Sequence, residues 1–157
     1  MLADIRVDEG GYIACFTRHF HHSSAEVWSY LTENEKLKQW FSELQVDKLC
    51  EGGVIRFDMR DGTFIELGIT ELKPGSVLEY TWGADRVRFE LYPESEGCRL
   101  LLVEKLSKIT DHTPKDLAGW HVCLDMIQVL LGEKTIESRE EEWKIRYQEY
   151  CQRIGTL

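Results

Sequence analysis

The chain has 157 residues, 43% of them hydrophobic, and carries 19 basic against 28 acidic side chains for a net charge of −9. That length suits one domain, which buries about 68–70% of its unfolded surface, and the spread of negative charge repels a phosphate backbone and excludes nucleic acid as an expected partner. No apolar run approaches the roughly 20 residues that span a bilayer, and the start MLADIRVDEGG has neither the cationic nor the apolar region of a secretory leader, so no membrane span and a cytoplasmic location are expected.

The first ten residues read as a loose tail. A first strand follows over Tyr12 to Phe20, where Ile13, Cys15 and Thr17 alternate with Ala14, Phe16 and Arg18. Ser23-Ser24-Ala25-Glu26 is a capping box opening a short helix from about Ala25 to Leu31, and Thr32-Glu33-Asn34-Glu35 repeats the signature for a second one ending near Trp40 and Phe41. Val27, Trp28, Leu31, Leu37, Trp40 and Phe41 form the inner surface of this pair.

Beyond Gly52-Gly53, the stretch VIRFDMR places Ile55, Phe57 and Met59 on one face of a strand, and Asp61-Gly62 signals a hairpin. Strands are then expected over Phe64 to Leu72, over VLEYTW with Leu78, Tyr80 and Trp82 on a common face, over RVRFELY with Val87, Phe89 and Leu91 inward, and over Cys98 to Lys105. Such a meander has one wet face, and its apolar face needs a cover.

Thr113-Pro114-Lys115-Asp116 starts that cover, with threonine as cap, proline at the first position and an acid at the positive end of the dipole. Leu117, Trp120, Leu124, Ile127 and Leu131 recur at helical spacing before Gly132. Val122, Met126, Val129 and Leu130 make a second apolar side. It is met either by a C-terminal helix carrying Trp143, Tyr147, Tyr150 and Ile154 after a capping box at Ser138 to Glu141, or by a second copy in a homodimer.

Chemistry-bearing residues are few. Five cysteines, Cys15, Cys50, Cys98, Cys123 and Cys151, lack any C-x-x-C pair and read as reduced thiols, with Cys123 a core residue. His19, His21 and His22 come nearest to a metal cluster but lack a further identifiable ligand, so no metal or cofactor is expected. His121 reads either as a polar group of a cavity or as a residue facing solvent or a backbone carbonyl, and Glu66 either as a desolvated carboxylate suited to acid–base work or as a wet-face residue of its strand. No nucleophile elbow, zinc-protease motif or phosphate loop is present. Phe57, Tyr80, Trp82, Phe89 and Trp120 suit either a pocket wall or plain core packing.

The succession HSSAEVWSYLTENEKLKQWF, GGVIRFDMRDG, LGITELKPGSVLEYTW and GWHVCLDMIQVLLGE resembles the START-like (SRPBCC, birch-pollen-allergen-like) superfamily, in the branch named after the C-terminal domain of the activator of the heat-shock protein 90 ATPase. The resemblance covers about Tyr12 to Glu133. It implies an α+β helix-grip fold: a curved antiparallel sheet around a long C-terminal helix, with two short helices after the first strand. The chain is read as a single domain over 1–157 with a core of about 12–133, and its helical extension over 134–157 departs from the shortest members, either capping the fold or mediating a dimer. The resemblance also implies a cavity at Trp40, Phe41, Phe57, Met59, Tyr80, Trp82, Phe89, Trp120, Leu124 and Ile127.

Three functional expectations follow. The leading one is non-catalytic binding of a small hydrophobic molecule (lipid, sterol-like or polyketide-like), oriented by Tyr80, His121 or Gln128. The second is a cyclase or hydrolase using Glu66 or His121. The third is a co-chaperone-like interaction module.

Overall fold

The computed structural model describes residues 1–157. In chain order the elements are β1 (Asp4–Asp8), β2 (Gly11–Phe20), α1 (Ser24–Thr32), α2 (Asn34–Trp40), β3 (Leu44–Lys48), β4 (Val54–Asp58), β5 (Phe64–Lys73), β6 (Val77–Trp82), β7 (Asp85–Glu94), β8 (Gly97–Leu106), α3 (Thr113–Leu130) and α4 (Arg139–Gly155). The strands form one antiparallel sheet in the order β1-β2-β8-β7-β6-β5-β4-β3, so the meander from β3 to β8 closes back onto β2. This is an α+β helix-grip fold, with α3 held against the concave face.

Strand parity decides what that face holds. Ala14, Phe16 and Phe20 of β2, Val87, Phe89 and Leu91 of β7, and Leu100 and Leu102 of β8 all point inward and are at most 3% exposed. On α3, Leu117, Trp120, Leu124 and Ile127 meet them. The outer face is wet, and there Arg88 bonds Glu71 at 2.8 Å and Glu90 at 2.5 Å while reaching Glu79 at 3.4 Å.

Capping chemistry sets most helix starts. Ser23 Oγ accepts from the Glu26 amide and Ser138 Oγ from the Glu141 amide, each at 3.2 Å, as the two capping boxes require. The box expected at Thr32 is not made: Thr32 donates its hydroxyl back to the Trp28 carbonyl at 3.0 Å, and Glu33 caps α2 without a side-chain bond. At α3, His112 is the cap residue, and Thr113 instead accepts the Thr110 amide at 2.9 Å. Gly132, at φ 76°, ends α3 in the left-handed region open to glycine.

Two strands depart from the sequence expectation. The supposed tail is β1, paired with β2 through a turn at Gly10, with Ala3 fully buried and Ile5 8% exposed. Tertiary anchoring supplies what its short pattern lacks: the Ala3 amide donates to Tyr150 Oη at 2.9 Å, and Arg153 donates to the Ala3 carbonyl at 3.3 Å. β3 is a short edge strand docked on β4 with Leu44 opposite Phe57. The second apolar side of α3 is met by α4 of the same chain, where Trp143, Tyr147, Tyr150 and Ile154 all pack on the core.

Candidate functional site

An open cleft of about 550 Å³ lies where the end of β6, the end of α2, α3 and the start of α4 converge. Phe41, Trp82, Trp120 and Trp143 supply its aromatic walls, Gly119, Val122 and Cys123 its floor, and Glu43, Asp116, Arg139 and Glu140 its polar rim. Gly119 opens the floor, since a Cβ there would lie 4.0 Å from Trp143 Nε1 and would take up the space between the two helices.

The aromatic rings form one connected cluster. Trp82 and Trp120 have centroids 4.9 Å apart, and Phe41 lies 5.8 Å from Trp82, 5.5 Å from Trp120 and 6.0 Å from Phe57, mostly in edge-to-face or tilted contacts that aromatic quadrupoles favour. Phe89 meets Trp120 at 5.9 Å and Tyr80 at 6.1 Å, which carries the cluster into the core. Trp82 Nε1 donates to Asp116 Oδ1 at 2.9 Å. That pair separates the main cleft from a second one of about 310 Å³, which Asp85, Lys108, His112 and Thr113 help to line.

The eleven residues expected at the site divide into four groups. Phe41, Trp82 and Trp120 line the cleft, and half-buried Phe57 backs it through Phe41 and Trp82. Trp40, Tyr80, Phe89, Leu124 and Ile127 are at most 2% exposed and fill the space between helix and sheet. They make the base on which the cleft is built. Met59 is 43% exposed because β4 ends at Asp58, and the chain turns through Arg60 at φ 62°, which breaks the alternation that placed it with Phe57.

His121 is away from the cleft. Its Nδ1 contacts Tyr150 Oη at 2.8 Å and its Nε2 lies 3.4 Å from Asp125 Oδ2, with Arg18 Nε on Asp125 Oδ1 at 3.2 Å. Burial lowers its pKa to about 3, with the Arg18 guanidinium adding to the shift, so the ring is neutral and held as a strut between α3 and α4. Gln128 donates to the His19 carbonyl at 3.2 Å, also outside the cleft. Glu66 is exposed on the outer face opposite Arg56. His19 pairs with Glu94 at 2.9 Å, His22 with Glu133, and the His21 amide with Glu133, so the three histidines do not converge. Burial raises the Cys123 thiol to about 12, which leaves it a protonated floor residue without nucleophilic character.

Several buried polar side-chain atoms have no fixed partner, among them those of Trp120 and Glu104. Trp120 Nε1 is buried without an acceptor, and both carboxyl oxygens of Glu104 are buried without a donor, on a residue with no exposed surface. Glu104 stands inward on β8 between Ala14 and Val87 and faces Asp116. Burial first, then the charge of Asp116 and the hydrogen bond shared with it, and last Asp85, raise its pKa well above the usual carboxylate range. Sequence reasoning passed over it, although the parity Leu100, Leu102, Glu104, Leu106 puts it on the core face. Arg139 and Trp143 were missed as cleft walls because only the docking of α4 brings them there.

A concave antiparallel sheet gripping a long C-terminal helix, with an aromatic cleft at their junction, defines a START-like protein. The chain belongs to the family described as activator of Hsp90 ATPase homolog 1-like protein, whose model matches residues 21–132. A conserved protein of unknown function from Enterococcus faecalis is similar to it at 26% identity, covering 96% of this chain and 91% of that one with a TM-score of 0.80. CalU16 from Micromonospora echinospora shares 19% identity over 90% of this chain and 87% of its own, with a TM-score of 0.71. DynU16, from the dynemicin biosynthetic locus, shares 20% identity over 76% of this chain and 47% of its own, with a TM-score of 0.66. No functionally curated protein matches the sequence. No helix is long and apolar enough to cross a membrane.

Proposed function

We propose that this protein binds a small, ring-bearing apolar molecule in the cleft bounded by Phe41, Trp82, Trp120 and Trp143. The observation that carries this reading is the aromatic wall itself: four large rings border a space of about 550 Å³, within the size range of small-molecule sites. Burial of apolar surface, at about 25 cal/mol per Å², is the driving force. The polar rim of Glu43, Asp116, Arg139 and Glu140 orients the ligand.

CalU16 and DynU16 share the fold that frames the cleft. An enzyme built on Glu66 or His121 is not favoured, because the first points to solvent and the second is fixed between Asp125 and Tyr150.

The test is a fluorescence titration of the protein and of Gly119→Leu with naphthylmethanol. Saturable quenching in the parent and its loss in the variant, at unchanged circular dichroism, support the reading. Equal titration of both proteins, or of neither, sinks it.

A further inference from the structure

We propose that the carboxyl pair of Glu104 and Asp116 is the recognition site for a cationic head group, so that the ligand class is a ring-bearing amine. This rests on the cleft being the binding site and adds the charge of what it takes.

The first argument is a contrast among buried charges. Arg18 is 7% exposed and Asp125 1%, and they bond each other at 3.2 Å. Glu79, 5% exposed, accepts from Thr70 at 2.8 Å and has Arg88 at 3.4 Å. Glu104 is more deeply buried than any of these, yet no cation and no fixed donor meets it, and its polar partner is a second acid, Asp116, with which it can only share a proton. A native structure rarely buries a carboxyl without a cation or a fixed donor, and an acid paired only with another acid calls for an explanation.

The second argument is what surrounds it. The charged groups facing Glu104 are Asp116 from α3 and Asp85 from the start of β7, both acidic. Asp116 lines both clefts and Glu104 lies behind it with no exposed surface, so a ligand in either cleft meets the pair at Asp116. The main cleft adds Glu43 and Glu140, and its single cation, Arg139, is already committed to the Trp40 carbonyl at 2.8 Å and Cys123 Sγ at 3.4 Å. The second cleft adds Lys108 at its rim. Trp82 and Trp120 stand beside Asp116 and give an ammonium the ring faces that favour a desolvated cation. An ammonium N–H replaces the Trp82 indole as donor to Asp116, and its positive charge compensates the buried carboxylate that the empty protein avoids.

The proton balance follows from the state of the free protein. Empty, Glu104 holds a proton because burial and two acidic neighbours disfavour its charge. Binding of one ammonium expels that proton to solvent, so affinity rises with pH until Glu104 ionises unaided. Stability carries the opposite sign. A carboxyl whose folded pKa is raised costs stability as pH climbs from the ordinary carboxylate range to that raised value, so Glu104→Gln denatures later than the parent at pH 8 and has a flatter pH profile.

The experiment compares naphthylmethylamine, naphthylmethanol and naphthoate by calorimetry at pH 8 in two buffers of different ionisation enthalpy. The expected result is a preference of about tenfold or more for the amine over the alcohol, weakest binding of the acid, and uptake by the buffer of one proton per amine. Glu104→Gln loses the amine preference and keeps the alcohol, and its raised stability excludes unfolding as the cause. Equal binding of amine and alcohol, or an amine preference that survives Glu104→Gln, overturns the proposal and leaves the cleft reading intact. Binding of none of the three overturns both.

Discussion

Trp82 donates its indole N–H to Asp116 across 2.9 Å, and this bond ties the end of β6 to the first turn of α3. It couples the helix to the sheet at the mouth of the cleft, where few other polar contacts do so. A hydrogen bond to a charged acceptor contributes roughly 1.5–3 kcal/mol. Trp82→Phe removes it while keeping an aromatic ring, and should lower stability by about that amount in urea denaturation with an unchanged slope. An unchanged midpoint would show that the bond contributes nothing.

The neutral His121 strut makes stability depend on pH with a definite sign. Its folded pKa, about 3, lies below its ordinary value of 6.5, so the unfolded chain takes up the proton first. The contribution is complete above about pH 6.5 and is lost as pH falls toward 3, at about 1.4 kcal/mol per pH unit for this one site. His121→Gln should remove that slope from denaturation measured between pH 7 and pH 4. A parallel profile for both proteins would contradict the assignment.

Tyr150 Oη serves two buried partners, the Ala3 amide at 2.9 Å and His121 Nδ1 at 2.8 Å. Tyr150→Phe leaves both unpaired, a loss of roughly 1–3 kcal/mol for each buried group. Its sharper signature is local. Amide exchange in β1, over Asp4–Asp8, should accelerate well beyond that of β7 and β8, since this hydroxyl and Arg153 pin the segment just before the strand. Uniform acceleration across the sheet would mean that β1 is held by its pairing with β2 alone.

Gly119 offers a way to close the cleft without breaking the core. Leucine there gains helix propensity of somewhat under 1 kcal/mol and projects into the space before Trp143. Gly119→Leu should therefore unfold at or slightly above the parent's midpoint while losing naphthylmethanol binding. Destabilisation by several kcal/mol would show instead that α3 and α4 are packed too closely at this point to admit the side chain.

Much of this was legible in the chain because alternation and capping are local. The strict inward set Val87, Phe89, Leu91 and the boxes at Ser23 and Ser138 each match the structure. What escaped depends on contacts between distant segments. β1 has only Ile5 to bury, with Ala3 just before it and Val7 76% exposed, so its pattern is too thin to register without Tyr150. His121 and Asp125 stand four residues apart on an apolar helix, a spacing that signals buried polar partners, but Arg18 and Tyr150 lie far off in sequence. The cleft aromatics Phe41, Trp82 and Trp120 were visible as a set, while Trp143 joined them only once α4 was docked.

The central claim is that the aromatic cleft is where a ligand sits, and the five indole N–H signals of Trp28, Trp40, Trp82, Trp120 and Trp143 report on it directly. We would titrate isotope-labelled protein with naphthylmethanol and follow these five resonances by NMR. Saturable shifts of Trp82, Trp120 and Trp143 with a common dissociation constant, and still signals for Trp28 and Trp40, are the predicted result. Shifts confined to Trp28 and Trp40, or no saturable shift in any of the five, would contradict it.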